Sequence, residues 1–478
     1  MPSEMSRLRI GLFSIGLDAY WPQFAGLKER LEGYTQEVAA KLRASGAELI
    51  NFGLVDSPQM AMRVAHELRA SDADIVFLYV TTYALSATVL PILRHAKIPV
   101  IVLALQPEAA IDYAAFNRLD DRTKMTGEWL AYCSACPVPE IANVLSRAGI
   151  PFHQVTGILH GDPACWAEVQ EWIDAAQVAK TLSHNRLGLM GHYYNGMLDI
   201  VTDYTQLCIT FGGHIELLEV DELSRLRQEV FEKEIEQRIE LFRREFDVDP
   251  ACLENELVRA ARTSVALDRL VEENDLTSMA YYYKGSGNPA NEDTMSSIIL
   301  GTSLLTSRGV PVAGEYEVKN ALAMKIMDSF GAGGSFTEYY AVDFSTDQIL
   351  MGHDGPGHTA IAQGKTKVRP LRVYHGKVGH GLSVEMSVKF GPVTLLSVAE
   401  DHAKGFKFVV AQGESEPGPI LEIGNTNSRY RFRGGVRKFM NDWNSQGPAH
   451  HCAVGIGHIA GKLGKLAKLL SIDLVQVC

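Results

Sequence analysis

Short apolar runs alternate with longer helical patterns over the first part of the chain. The runs at 8–15 (LRIGLFSI), 48–54 (ELINFGL), 74–80 (DIVFLYV) and 99–105 (PVIVLAL) are apolar on both parities, as strands covered on both faces are. Between them, 25–45 and 57–71 carry apolar residues at helical spacing with charges opposite. Strand, helix, strand, helix implies right-handed βαβ units on a parallel sheet. The turn after the first run reads Gly16-Leu-Asp-Ala-Tyr-Trp21. It carries no GxGxxG, so no dinucleotide site is expected.

A helical pattern at 164–182 ends in the polar stretch Ser183-His-Asn-Arg186, where a domain boundary is expected. A second β-α-β pattern follows, with a strand at 187–193, a helix across 197–211 and a strand at 214–220. Residues 221–275 are dense in charge and read as solvated helices laced by i,i+4 pairs. A helix over 317–329 runs into Gly331-Ala-Gly-Gly334, a C-cap and a second boundary. From 335 the texture changes to short alternating strands: FTEYYAVDF, QILMGHD, RPLRVYH, LSVEMSVKF, VTLLSVAE, KFVVAQGE and RYRF. That pattern predicts an antiparallel barrel or sandwich. A helix at 459–470 and the strand DLVQV close the chain. The expected class is α/β: two parallel-sheet βαβ domains, 1–184 and 185–330, then a C-terminal antiparallel β-rich, barrel-like domain, 331–478.

Composition narrows the function. The 478 residues carry 45 Lys plus Arg against 57 Asp plus Glu, a formal net charge of −12. An acidic chain without a Lys/Arg run is a poor phosphate-backbone binder, so no nucleic-acid partner is expected. No stretch approaches the ~18–20 apolar residues of a membrane span. The start lacks a long apolar h-region, and a reducing cytoplasm is the expected location. Seven scattered cysteines do not form a disulfide framework. The single Cys133-Ser-Ala-Cys136 has no second CxxC and no strand leading into it, so it reads as ordinary core or loop cysteines.

Candidate chemistry lies where glycine-rich segments present ionisable residues. Three places stand out: Pro311-Val-Ala-Gly-Glu315-Tyr-Glu317; Gly333-Gly-Ser-Phe-Thr-Glu338-Tyr-Tyr340; and Met351-Gly-His353-Asp-Gly-Pro-Gly-His358 with Gly447-Pro-Ala-His450-His451. Two carboxylates and two imidazoles form an octahedral-type site for a divalent ion, and a cysteine-free set argues against structural zinc. Singly, each piece has a plain reading. Glu315 reads as a helix N-terminal acid, Glu338 as a solvent-facing strand residue, and the histidines as surface or core hydrogen-bonding groups.

Taken together, these motifs resemble the L-arabinose isomerases, within the L-fucose/L-arabinose isomerase superfamily. The resemblance is close over roughly 310–360 and 447–452, through VAGE, KIM, GGSFTEYY, MGH and GPAHH. Elsewhere it is one of element order. It implies that Glu315, Glu338, His353 and His451 hold Mn²⁺, or another divalent ion such as Co²⁺ or Mg²⁺. It leaves His358 and His450 as alternatives if the loops are shifted. An aldose–ketose isomerase moves a proton between C1 and C2, and the resemblance implies that Glu315 and Glu338 serve as general acid and base through an ene-diolate. A hydride shift would use the same ligands. Met197, Tyr340 and Trp21 fall where the family has residues beside the sugar.

The pocket departs from the family pattern. Asp18-Ala-Tyr20-Trp21 replaces a Gln, Leu and Tyr set, Met125-Thr-Gly-Glu128-Trp129 replaces a His-Gly-Gly stretch, and Tyr281-Tyr-Tyr-Lys284 replaces a threonine-rich segment. An intact ligand set with altered walls implies related chemistry on a different polyol aldehyde. The family builds its site at subunit interfaces, implying a homotrimer or homohexamer. The other readings are an epimerase or other metal-assisted proton transfer on a sugar derivative, and a non-catalytic sugar-binding protein.

Overall fold

The computed structural model describes residues 7–371 and 379–478. They divide into two compact units, Met1–Lys180 and Thr181–Cys478. The first holds a five-stranded parallel sheet of β1 (Arg9–Ile15), β2 (Glu48–Val55), β3 (Ile75–Val80), β4 (Val100–Gln106) and β5 (His153–Ile158), in the order β2-β1-β3-β4-β5. Every residue of β3 is buried, because helices cover both faces. Helix Pro58–Ala70 starts where its pattern predicts: Ser57 accepts from the Met60 amide at 3.4 Å, and Pro58 needs no partner at the first position. The edge strand β5 was not among the four expected strands. Its HQVTGI sequence buries only Val155 fully, so no apolar run marks it.

In the second unit, β6 (Arg186–Gly191), β7 (His214–Leu218), β9 (Ser278–Tyr282) and β10 (Val312–Ala313) form a parallel sheet in the order β10-β9-β6-β7. The two-residue strand β8 (Asp247–Val248) belongs elsewhere, as described below. The expected helix at 197–211 is shorter. Asp203 caps helix Tyr204–Phe211 by accepting from the Thr205 and Gln206 amides at 2.8 and 3.1 Å, which frees 192–203 as a loop. The charge-dense segment is helical at Val220–Gln228, Glu232–Glu245 and Glu254–Glu273. Its charges mostly bridge neighbouring helices, as in Arg238–Asp268 at 2.5 Å and Arg269–Glu234 at 2.7 Å, and the i,i+4 pair Arg225–Glu229 is one of few.

The C-terminal part closes on itself. Strands β11 (Ser335–Asp343), β12 (Gln348–His353), β15 (Gly391–Asp401), β16 (Gly405–Glu416), β17 (Thr426–Phe432) and β18 (Cys452–Ile456) form an antiparallel ring, β15-β18-β11-β12-β17-β16, with β16 pairing back to β15. A last strand, β19 (Asp473–Gln476), runs parallel to β16. Two expected barrel strands lie outside the ring: β13 (Lys367–Leu371) and β14 (Gly381–Glu385) pair with each other and with β8. Their Val368, Leu371, Leu382 and Val384 pack into the core of the helical layer, which draws them from the barrel. The end of the RPLRVYH run, 372–375, lies outside the described residues.

The unexpected helix Val436–Ser445 fills the barrel mouth through Phe439 and Trp443, with Phe439 stacked on Phe432 at 3.7 Å between centroids. Helix Val318–Ser329 is buried over its first ten residues and lies between β9 on one side and β15 and β18 on the other. Among the described residues no helix is long and apolar enough to cross a membrane.

Candidate metal centre

Glu315 follows β10 on a tight bend. Glu315 and Tyr316 both adopt left-handed backbone, with φ of 56° and 61°, a conformation that costs L-residues on the order of 1 kcal/mol and persists only where the surroundings enforce it. Here the Tyr316 amide donates to Tyr281 O at 2.9 Å and the Glu317 amide to Gly314 O at 3.0 Å. Tyr316 also packs edge-on against Tyr193 at 4.8 Å. The helix begins only at Val318, so Glu315 is not a helix N-terminal acid; the bend turns it aside before the helix starts.

Glu338 lies in β11 opposite Gly352 of β12. The ladder then slips: Tyr339 faces Met351 and Ala341 faces Leu350, leaving Tyr340 as a bulge. A bulge re-aims side chains at a strand edge, and Glu338, Tyr339 and Tyr340 all line one cleft. Glu338 is thus turned inward rather than to solvent. His353 ends β12, its amide held by Thr426 Oγ1 at 3.0 Å. His451 is fully buried just ahead of β18, whose pairing with β11 brings it beside Glu338.

These four side chains converge. His451 Nε2 stands 3.5 Å from Glu315 Oε2 and 3.8 Å from Glu338 Oε2, and His353 Nε2 stands 3.7 Å from Glu315 Oε1. Phe336 stacks on His451 at 4.4 Å and meets His353 edge-on at 4.3 Å, fixing both rings. On its far side, His451 Nδ1 faces the buried Glu317 Oε2 at 3.5 Å. A carboxylate accepts, so a hydrogen bond there places a proton on Nδ1 and turns Nε2 toward Glu315 and Glu338. That Nε2 is buried and makes no hydrogen bond.

A ring nitrogen facing two carboxylate oxygens at this spacing is a donor set that a cation between them would satisfy. Two overlapping groups have metal-ligand spacing: Glu315, His353 and His451, and Glu338, His450 and His451. The oxygen and nitrogen donors suit Mn²⁺, Co²⁺ or Mg²⁺.

His450 takes a different position from His451. Its Nε2 lies 2.6 Å from Glu338 Oε2, and that hydrogen bond holds the imidazole above its ordinary value despite partial burial. Its amide donates to Asp199 Oδ2 at 2.8 Å. His358 points elsewhere, toward Asp328 Oδ1 at 3.5 Å. The cluster forms one wall of a cleft of about 730 Å³, which Met197 and Tyr340 also line. Trp21 belongs to the first unit, where its indole donates to Asp56 Oδ2 at 2.8 Å. Sequence reasoning gives no role to Glu317 or Asp199. Glu317 had one available signal, a second carboxylate two positions after Glu315, but only the fold shows that it supports a histidine 134 residues away.

The family described as "L-arabinose isomerase C-terminal domain" matches residues 333–473, a stretch that includes Glu338, His353 and His451. An L-arabinose isomerase of Cellvibrio japonicus is 22% identical over 330 residues, 65% of this chain and 64% of that protein. Those of Shewanella baltica and Bifidobacterium adolescentis are each 21% identical over 65% of this chain and 63% of their own lengths. The matched stretches thus span less than two thirds of these relatives. Residues 333–473 match the family's C-terminal domain, and over 65% of its length the chain is similar to these L-arabinose isomerases at low identity.

Proposed function

We propose that this protein is a metal-dependent aldose–ketose isomerase acting on a pentose or related sugar, with Glu315, Glu338, His353 and His451 holding the cation. The observation that carries this reading is the bare, buried Nε2 of His451 facing the carboxylates of Glu315 and Glu338 at 3.5 and 3.8 Å. A bound divalent ion would polarise the sugar carbonyl and stabilise negative charge on its two oxygens. Glu315 and Glu338 move the proton between C1 and C2, one as base and the other as acid. His450 orients Glu338 through their hydrogen bond. Met197 and Tyr340 contact the sugar chain from the cleft wall.

The cleft rim supports assembly as a homotrimer or homohexamer. Leu198, Leu421 and Ile423 line it and are 84%, 43% and 58% exposed, apolar surface of the kind that a second subunit covers. Sedimentation alongside activity tests this part: a fully active monomer would contradict it.

The deciding experiment is ketose formation from a panel of aldopentoses, aldohexoses and deoxy sugars, with Mn²⁺ and again with EDTA. Metal-dependent conversion of one sugar is the expected result. Products epimeric to the substrate would redirect the reading to an epimerase. A protein that binds Mn²⁺ yet converts nothing in the panel would overturn the isomerase assignment.

A further inference from the structure

The turn between helices Arg122–Leu130 and Val138–Arg147 in the first unit carries Cys133-Ser-Ala-Cys136. By sequence the motif reads as ordinary cysteines, since it has no second CxxC and no strand leading into it. The structure places the two residues three apart on one turn, both as free thiols. Cys133 is buried and Cys136 is exposed. That asymmetry matches the division of labour in a dithiol couple, where an accessible sulfur attacks first and a shielded one resolves the product.

The turn is held in place from several sides. The Cys133 amide donates to Leu130 O at 3.1 Å, and Thr82 Oγ1 donates to the same carbonyl at 2.7 Å. Arg30 ties the preceding helix through Glu128 at 2.7 Å and lies over the Tyr132 ring. A tight turn brings residues three apart to Cα distances that a disulfide accepts. Bond formation therefore needs the sulfurs to close to about 2.05 Å without unfolding either helix. Ser134 and Ala135, between the cysteines, also wall a cleft of about 380 Å³ with Gln106 and Thr156.

We infer that Cys133 and Cys136 form a redox-active dithiol that closes reversibly to a disulfide by exchange with a low-molecular-weight disulfide such as oxidised glutathione. The Cys136 thiolate attacks one sulfur of the small disulfide, forming a mixed disulfide and releasing one thiolate, which takes up the proton lost by Cys136. The Cys133 thiol then gives up its proton and attacks the Cys136 sulfur, releasing the second small thiol. The balance is two protein thiols and one small disulfide in, one protein disulfide and two small thiols out. The protein pair loses two electrons and the small disulfide gains them. Burial pushes the Cys133 thiol up to about 12, which keeps it protonated and inert toward outside oxidants until the mixed disulfide forms next to it.

The test uses the full-length reduced protein, incubated with oxidised glutathione, quenched with iodoacetamide and mapped by peptide mass spectrometry. Wild type is expected to yield a peptide with Cys133 and Cys136 both unalkylated and two hydrogens lighter, restored by dithiothreitol. Cys133→Ser should accumulate the glutathione adduct on Cys136, because the resolving thiol is gone. Cys136→Ser should show neither product at this turn. Circular dichroism of both variants establishes that they fold. Full alkylation of both cysteines in treated wild type, or a Cys133→Ser protein without an adduct at Cys136, would overturn the inference.

Discussion

The imidazole of His451 is held by Phe336 on its face and by Glu317 at Nδ1, and its Nε2 faces Glu315 and Glu338. Each partner has a separable role. Glu338→Gln removes a charged ligand and a proton carrier at once, so Mn²⁺ affinity and turnover should fall together, turnover by at least ~100-fold. Calorimetric Mn²⁺ titration and a ketose assay read both, and retained activity would sink the assignment. Glu317→Gln leaves every ligand in place but removes the charge that sets the ring's tautomer. It should weaken Mn²⁺ binding by about 10–100-fold. An unchanged affinity would mean that Glu317 serves only the fold. At this scale the candidate ligand types are legible in four short motifs, and the buried carboxylate behind His451 is not, because its meaning depends on a contact 134 residues away.

At the scale of elements, the centre depends on how closely β12 and β17 approach. Gly352 pairs with Asn427, one step before His353, and a Cβ there would fall 1.8 Å from Thr426 O. Gly352→Ala should therefore lower stability by about 1–3 kcal/mol. It should also weaken Mn²⁺ binding, although Gly352 offers no ligand atom. Denaturant titration with and without Mn²⁺ checks both effects.

The first unit carries a comparable clamp. His160 lies 2.7 Å from Glu108 and 2.8 Å from Glu37, one carboxylate at each ring nitrogen, which only an imidazolium satisfies with two donors. Burial opposes the charge, but the hydrogen bonds to Glu108 and Glu37 outweigh it and raise the group above its ordinary 6.5. A raised folded value stabilises fully below the unfolded one, and the contribution fades as pH rises through the folded value. Because the side chain is 37% exposed, the effect should be only a few tenths of a kcal/mol. Wild type should exceed His160→Gln by that margin below pH 6 and match it at high pH.

For the molecule as a whole, ligand binding and folding stability are linked. A cation that binds only the folded centre stabilises by mass action, by ~2.7 kcal/mol at a hundred times its Kd. Mn²⁺ should raise the melting temperature of wild type, EDTA should reverse the shift, and His451→Ala should show none. A wild-type melting curve indifferent to Mn²⁺ would argue against a built metal site.

Much of this architecture was legible in the chain itself. Runs apolar on both parities belong to strands sandwiched by helices, and alternating runs belong to a barrel with one wet face, so both parallel sheets and the β-rich end could be read. Local pairing was also within reach, since Glu338 and His353 sit 15 residues apart on adjacent antiparallel strands. Beyond that range the sequence was silent. An edge strand such as β5 has too little buried face to leave a pattern. Strands β13 and β14 alternate like their barrel neighbours, but packing sends them to another sheet. The pairing of β11 with β18 and the strained bend at Glu315 bring His451 and Glu315 to Glu338. Residue type and spacing specify which side chains are suited to hold a cation, whereas closure of the barrel against the parallel sheet alone decides that they meet, because those contacts join distant segments through backbone pairing that no local pattern encodes.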